Sequence, residues 1–224
     1  MANSKLIKKV YLGLSIIINL FLLGFFKYSY FIIEQLNFVL NTNFKAVNIF
    51  SWTINELFSS NLDISEIILP AGISFFTFQT MSYAIDIYNN KIKPTNNIVD
   101  FGFYVTFFPQ LVAGPIVRAQ EFIPQINQKF SLDKHQLAKA FFLIYSGLIK
   151  KIIISDYLAH NIVDAVFAQP LNYTGIENLL AIYAYAIQIY CDFSAYSDIA
   201  IALALLLGYQ LPSNFNNPYT AKSI

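Results

Sequence analysis

The stretch most able to do chemistry is IQIYCDFSAYSDIAIALALLLGY, residues 187–209. Gln188, Asp192 and Tyr196 follow one another at four-residue intervals, so a helix aligns them in one polar stripe; Ser194 and Asp198 form a second stripe displaced around it. Carboxylates in so apolar a segment are costly unless they meet a partner, and they mark a site by default. Lys150, Lys151 and Arg118 are the candidate partners. Lys150 and Lys151 are adjacent, hence about 100° apart on an α-helix. They therefore cannot both face one partner; one could meet a carboxylate while the other reaches lipid headgroups, and structural pairing is the expectation for both. The competing expectation for Asp192 and Asp198 is that they only tie helices together, with Asp192 capping a broken helix end. FFPQLVAGPIVR, residues 107–118, adds Gln110 and Arg118, and the apolar run 67–88 carries Gln79 and Asp86.

Other chemistry is poorly supported. His135 lies in the basic stretch SLDKHQLAK and His160 near the end of an apolar run, neither at motif spacing to Ser, Cys or Glu, so both are read as non-catalytic. GxSxG, GxGxxG and the P-loop are absent, and the single Cys191 excludes an internal disulfide. No Cys/His cluster predicts a metal site. A net charge of +1 leaves no basic excess for nucleic acid.

What positions these residues follows from composition. The 224 residues are 56% hydrophobic and 12% charged, with mean hydropathy +0.52. That is far less charge than soluble domains carry, so the expected fold is an all-α integral membrane protein. Four stretches are long and apolar enough to cross: 10–33, 67–88, 137–163 and 176–209, the last expected to be tilted, kinked or split. Residues 101–117 are uncharged, but Pro109, Gly114 and Pro115 break them. Pro109 lacks a backbone donor, Gly114 permits a tight turn, and Pro115 disfavours helix at its predecessor.

Basic residues then argue the topology. With 34–66 and 164–177 outside and residues 101–117 dipping in and returning, ten of the 14 basic residues lie in cytoplasmic segments (Lys5, Lys8, Lys9, Lys91, Lys93, Arg118, Lys129, Lys134, Lys139 and Lys222). A re-entrant element requires protein or water around its unpaired backbone, hence a cavity. No repeat at a fixed period and no linker divides the chain, which reads as one membrane domain, 1–224.

Together LPAGISFFTFQTMSYAIDIY, FGFYVTFFPQLVAGPIVRAQEFIPQI, GLIKKIIISDYLA, YCDFSAYSDIAIALALLLGYQLPSNFNNPYTAKSI and LGFFKY resemble the membrane-bound O-acyltransferase family, in particular the bacterial branch that O-acetylates alginate and peptidoglycan. The resemblance implies a multi-helix bundle with at least one re-entrant segment around a funnel, multi-pass in the bacterial inner membrane. It implies transfer from a cytoplasmic donor, acetyl-CoA or another acyl thioester with no bound cofactor, to an extracytoplasmic polysaccharide, in contact with membrane lipid and with a partner acetyltransferase protein. Gln79, Gln110, Arg118, Gln188, Tyr190, Asp192, Ser194, Tyr196, Asp198 and Asn214 become candidates for the funnel wall. The family's essential histidine is expected after NPYTAKSI, beyond Ile224, so these residues resemble the central part of the enzyme and are not expected to transfer acyl groups alone. The alternatives are a small transporter or channel-like protein using buried Asp192 and Asp198, or the inactive remnant of a split gene.

Overall fold

The computed structural model describes residues 2–112, 114–216 and 218–221, with side chains from residue 6 onward. The side chain of Lys5, and Lys222 entirely, lie outside the described residues. Among the described residues every regular element is helical. The chain divides into two compact units, Met1–Pro94 and Thr95–Ile224.

In the first unit, α1 (Ala2–Leu23) passes through a π-helical turn, Gly24–Tyr28, into α2 (Ser29–Leu40). The expected span 10–33 therefore sits inside a longer helical path. No residue of α2 is buried, although it is mostly apolar, as suits a helix whose surface is left to lipid. Within the expected external loop 34–66 the structure instead places the end of α2 and a further helix, α3 (Ile49–Phe58). Pro70 and Gly72, expected in the first turns of a helix, delay it: Gly72 takes φ 72°, and α4 begins only at Ile73 and ends at Tyr88. Sixteen residues make about 24 Å, short of the roughly 30 Å hydrocarbon core.

α1 and α2 run antiparallel to α4. Lys8 donates to Asn90 (3.2 Å), Thr80 to Asn19, Lys27 to Ser74 (3.4 Å), and the backbone N–H of Ile67 to the Tyr30 hydroxyl (2.9 Å). The same device ends α2 and α3, although no repeat was visible at a fixed period. The Asn37 carboxamide oxygen accepts from Thr42 Oγ and Phe44 N–H while its Nδ2 donates to Phe44 O. Asn55 makes the matching three bonds to Ser60 and Leu62. Asn41 and Ser59 both take φ 49° there, a left-handed helix ending that non-glycine residues rarely adopt without such local bonds.

The second unit contains α5 (Ile98–Thr106), a 3₁₀ turn Phe108–Gln110, α6 (Ala119–Ile126) and α7 (Lys134–Leu148). From α7 the helical path continues through a π segment, Ile149–Ser155, α8 (Asp156–Leu158), a second π segment, Ala159–Val163, and α9 (Asp164–Ala168). α10 (Gly175–Leu206) is a single 32-residue helix of about 48 Å and is not split. Thr174 and Glu177 start it with a reciprocal capping box. Asp192 lies well inside it, so the expectation that Asp192 caps a broken end is overturned.

Of the four expected spans, two correspond to helices long and apolar enough to cross, Leu6–Leu40 and Gly175–Leu206. α4 is too short, and the path 134–168 carries Lys150, Lys151 and Asp156 at its middle. α7 and α10 form the principal packing of the unit, with Ala140, Ala202 and Leu205 at its core.

Candidate functional site

The breakers in 107–118 act largely as their chemistry dictates. α5 stops at Thr106, and Pro109 enters the 3₁₀ turn where its missing N–H is harmless. Gly114 folds its N–H back to Gln110 O (3.3 Å) so tightly that a Cβ would overlap Gln110 Cα and lie 2.9 Å from Pro109 O. The chain then runs on to Arg118, where α6 begins. Phe107, Val117, Ala119, Tyr104 and Phe122 are all at most 2% exposed, and Phe107, Phe122 and Tyr209 stack with centroids 4.9–5.2 Å apart. This apolar packing holds irregular backbone that would otherwise be untenable in hydrocarbon.

Gln110 is the polar pin of the segment. Its Nε2 donates to Tyr104 O (2.9 Å), and Tyr104 OH donates to Val117 O (3.0 Å), so both limbs of the break are tied to one tyrosine. Gln110 is 4% exposed, and its Oε1 has no hydrogen-bond partner among the described residues. An orphan buried acceptor costs about 1–3 kcal/mol. A donor from water or a passing hydroxyl would relieve it. Beside the turn lies a cavity of about 120 Å³ lined by Phe108, Pro109 and, from α10, Tyr196, Ile199, Ala200 and Leu203.

α10 presents three faces to three neighbours. On the first, small residues let α7 approach: a Cβ on Gly147 would lie 2.7 Å from Ile199 Cγ1 and 2.9 Å from Ala195 O. Here Lys150 Nζ pairs with Asp198 (2.7 Å), and Lys151 Nζ bridges Asp192 (2.7 Å) and Asp156 (2.9 Å). Each lysine is thus paired, as expected, and with a separate carboxylate of the same helix. The π segment widens the turn, the Asp156 N–H bonds Lys151 O five residues back, and α10 offers a separate carboxylate to each ammonium. Ser155 is 2% exposed and donates to Gln188 O (3.2 Å); Gln188 Oε1 is a second buried acceptor without a partner among the described residues.

The second face carries Tyr196 to the cavity beside the broken segment. The third receives the segment after α10, which folds back antiparallel along the helix. Asn214 Nδ2 donates to Ser197 Oγ (3.0 Å), and Phe215 packs edge-on against Tyr190 and Phe193. Tyr219 OH donates to Ala186 O (2.8 Å). The turn that starts this return needs Gly208, with φ 87° and Phe130 where a Cβ would stand. Gln125 then clasps Gln210 through both its N–H and its carbonyl (2.8 and 3.1 Å).

The second unit thus brings Gln188, Tyr190, Asp192, Ser194, Tyr196, Asp198 and Asn214 together around α10, with Gln110 on the adjoining segment. Gln79, 6% exposed, belongs to the first unit. Arg118 is exposed at the start of α6, and the carboxylates of α10 pair with Lys150 and Lys151. Asp192 is not buried: its side chain is 53% exposed, and that of Asp198 is 21% exposed. Ser194 is buried and bonds only its own helix, at Cys191 O. Ser155, Ser197, Tyr219 and Gln125 were missed. The small residues Ala181, Ala184, Cys191, Ala195 and Ala202, spaced by threes, fours and sevens, did signal the packed face. His135 is exposed; His160, also exposed, donates from Nδ1 to Asp156 O (2.7 Å).

Residues 92–224 match the family model "MBOAT, membrane-bound O-acyltransferase family". The "Probable alginate O-acetylase AlgI" of Azotobacter vinelandii is 39% identical over 215 residues, 96% of this chain and 40% of that protein. The "Peptidoglycan O-acetyltransferase" of Helicobacter pylori is 33% identical over 243 residues, 97% of this chain and 42% of its own length. The "Teichoic acid D-alanyltransferase" of Bacillus subtilis is 25% identical over 159 residues, 68% of this chain and 39% of its own. The chain spans about two fifths of the length of these relatives. With the broken segment, the long helix and the family motifs in register along it, the chain belongs to the membrane-bound O-acyltransferase family.

Proposed function

We propose that this chain forms the wall of an acyl-transfer path in an enzyme that O-acetylates a cell-envelope polysaccharide. The observation that carries the reading is the buried break at 107–118, packed beside the polar α10, in a chain of the acyltransferase family. Broken backbone at membrane depth belongs beside a cavity or within protein, and here it is both buried and next to one. The names of the alginate and peptidoglycan relatives support an acetyl group and a polysaccharide acceptor; our reading adds a cytoplasmic acyl thioester such as acetyl-CoA as donor and an extracytoplasmic sugar hydroxyl as acceptor. In this reading the segment enters and leaves on the cytoplasmic side, and the enzyme works in the inner membrane with a partner acetyltransferase.

The residues in hand would orient and exclude water rather than react. Gln110 Oε1 and Gln188 Oε1, acceptors without a donor among the described residues, would each take the hydroxyl or amide hydrogen of a passing substrate. The ion pairs Lys150–Asp198 and Lys151–Asp192 hold the helix pair beside them in register. The general base is assigned to neither His135 nor His160: both are exposed, the first in the opening turn of α7 and the second tied to Asp156 O of its own helical path, and neither lines the cavity beside α10. The transporter reading drew on buried Asp192 and Asp198, which are instead lysine-paired and partly or largely exposed.

Deleting the intact gene and measuring alkali-released acetate from isolated peptidoglycan and exopolysaccharide tests the reading. Loss of ester-linked acetate from one polymer supports it and names the acceptor. Unchanged acetate in both overturns it.

A further inference from the structure

We propose that the first unit holds an anionic phospholipid in a cleft between the start of α1 and the end of α4. Most of the apolar surface of α1 is convex and exposed, as on any helix that faces lipid tails, and implies no particular ligand. One place differs. Tyr11 and Leu12 of α1 and Ala84, Ile87 and Tyr88 of α4 line a concave, almost wholly apolar cleft of about 250 Å³, with Lys8 at its edge. A second recess of about 390 Å³ shares Lys8 and Tyr88 with it and is bounded by Asn89 and Asn90. An apolar slot opening under a cation and two carboxamides has the chemistry of one acyl chain joined to a phosphodiester.

The groups at the mouth can meet a phosphate. Lys8 uses one ammonium hydrogen on Asn90 Oδ1 (3.2 Å) and, being exposed, keeps two for an anion. That bond holds the Asn90 oxygen away from the anion. Asn90 takes φ 57°, and the Lys91 N–H closes back on Asp86 O, fixing the turn that presents both amides. The one acid at this end, Asp86, is 5% exposed and has Lys91 at 3.6 Å, so its charge is countered from within. Lys9 and Lys93 are exposed within one and three residues of the lining groups, and the local field is positive. Charge complementarity therefore selects an anionic headgroup over a zwitterionic one, and a basic pocket between membrane helices is a recognised form of lipid site.

The test titrates the purified, delipidated chain with dioleoyl phosphatidylglycerol or dioleoyl phosphatidylcholine and reads the first bound lipid by native mass spectrometry. We expect phosphatidylglycerol to bind about fivefold more tightly, the scale of one lysine near a membrane surface. Lys8→Gln should abolish that difference, and Lys9→Gln, outside the cleft, should preserve it. Leu12→Trp should weaken both lipids by filling the slot, and inorganic phosphate should fail to displace phosphatidylglycerol. Lys8 is exposed, so its variant leaves folding intact and decides the matter even if Leu12→Trp does not fold. Equal binding of the two lipids, equal effects of Lys8→Gln and Lys9→Gln, or full displacement by phosphate would each overturn the proposal.

Discussion

Two antiparallel helix pairs, one in each unit, solve the same problem differently. α1 and α4 are joined by neutral or singly charged hydrogen bonds at intervals: Thr80 to Asn19, Lys27 to Ser74 and Lys8 to Asn90. α7 and its π extension are joined to α10 by a glycine-backed close approach and by two lysine–carboxylate pairs, Lys150–Asp198 and Lys151–Asp192. Bringing charges and a widened turn to membrane depth costs stability that neutral bonds would have spared. Both pairs include a π segment, Gly24–Tyr28 in the first unit and Ile149–Ser155 in the second, but only the second sets lysines against carboxylates across the pair and so accepts the cost of burying charge.

The largest expected effect breaks the close approach. Gly147→Leu places side-chain atoms where Ile199 and Ala195 O stand, and should lower stability in detergent by about 1–3 kcal/mol or prevent folding. Gly13→Leu, on α1 with open space around it, should change the melting temperature little. A similar loss at both positions would erase the contrast between the pairs. Next comes the charge. Lys150→Met or Asp198→Asn alone should each cost about 1–3 kcal/mol by stranding the partner, discounted for partial exposure. The double variant should recover much of the loss, so additive losses would show that the pair is not coupled. Smallest is the neutral pair: Thr80→Ala should cost about 1 kcal/mol, read by thermal unfolding. A loss above that of Lys150→Met would reverse the ranking of the two pairs.

The topology has its own test. Cysteines introduced at Lys93 and Gln128 should both react with a membrane-impermeant reagent from the cytoplasmic side, and labelling from opposite sides would remove the re-entrant reading.

Much of α10 was legible in the sequence, because capping residues, length and the spacing of Gln188, Asp192 and Tyr196 are local signals. The break at 107–118 was legible for the same reason, since Pro109, Gly114 and Pro115 restrict the backbone wherever they stand. The pairing of Lys150 and Lys151 was only half visible. Their partners could be named, but the angle between them depends on a π register that leaves no compositional mark. The return of residues 207–221 along α10 was not visible, because it rests on distant contacts: Tyr219 with Ala186, Phe215 with Tyr190, and Gln125 with Gln210. The break at Gly72 was underrated; its positive φ starts α4 late, where a helix had been expected from residue 67. Gln110 stood out in the sequence as the one amide of an apolar run, but its bond to Tyr104 O and its orphan oxygen appear only in three dimensions.

That orphan oxygen offers the most direct measurement. In cells carrying the intact gene, Gln110→Glu keeps the side chain's size but replaces the amide donor to Tyr104 O, whereas Gln110→Leu removes both donor and acceptor. Ester-linked acetate on the envelope polysaccharide, normalised to enzyme found in the membrane, separates a path-lining role from a packing role. We expect Gln110→Leu to lower normalised acetate sharply while most of the enzyme still reaches the membrane, with Gln110→Glu intermediate. Acetate that falls only in proportion to the membrane protein would contradict a path through this segment.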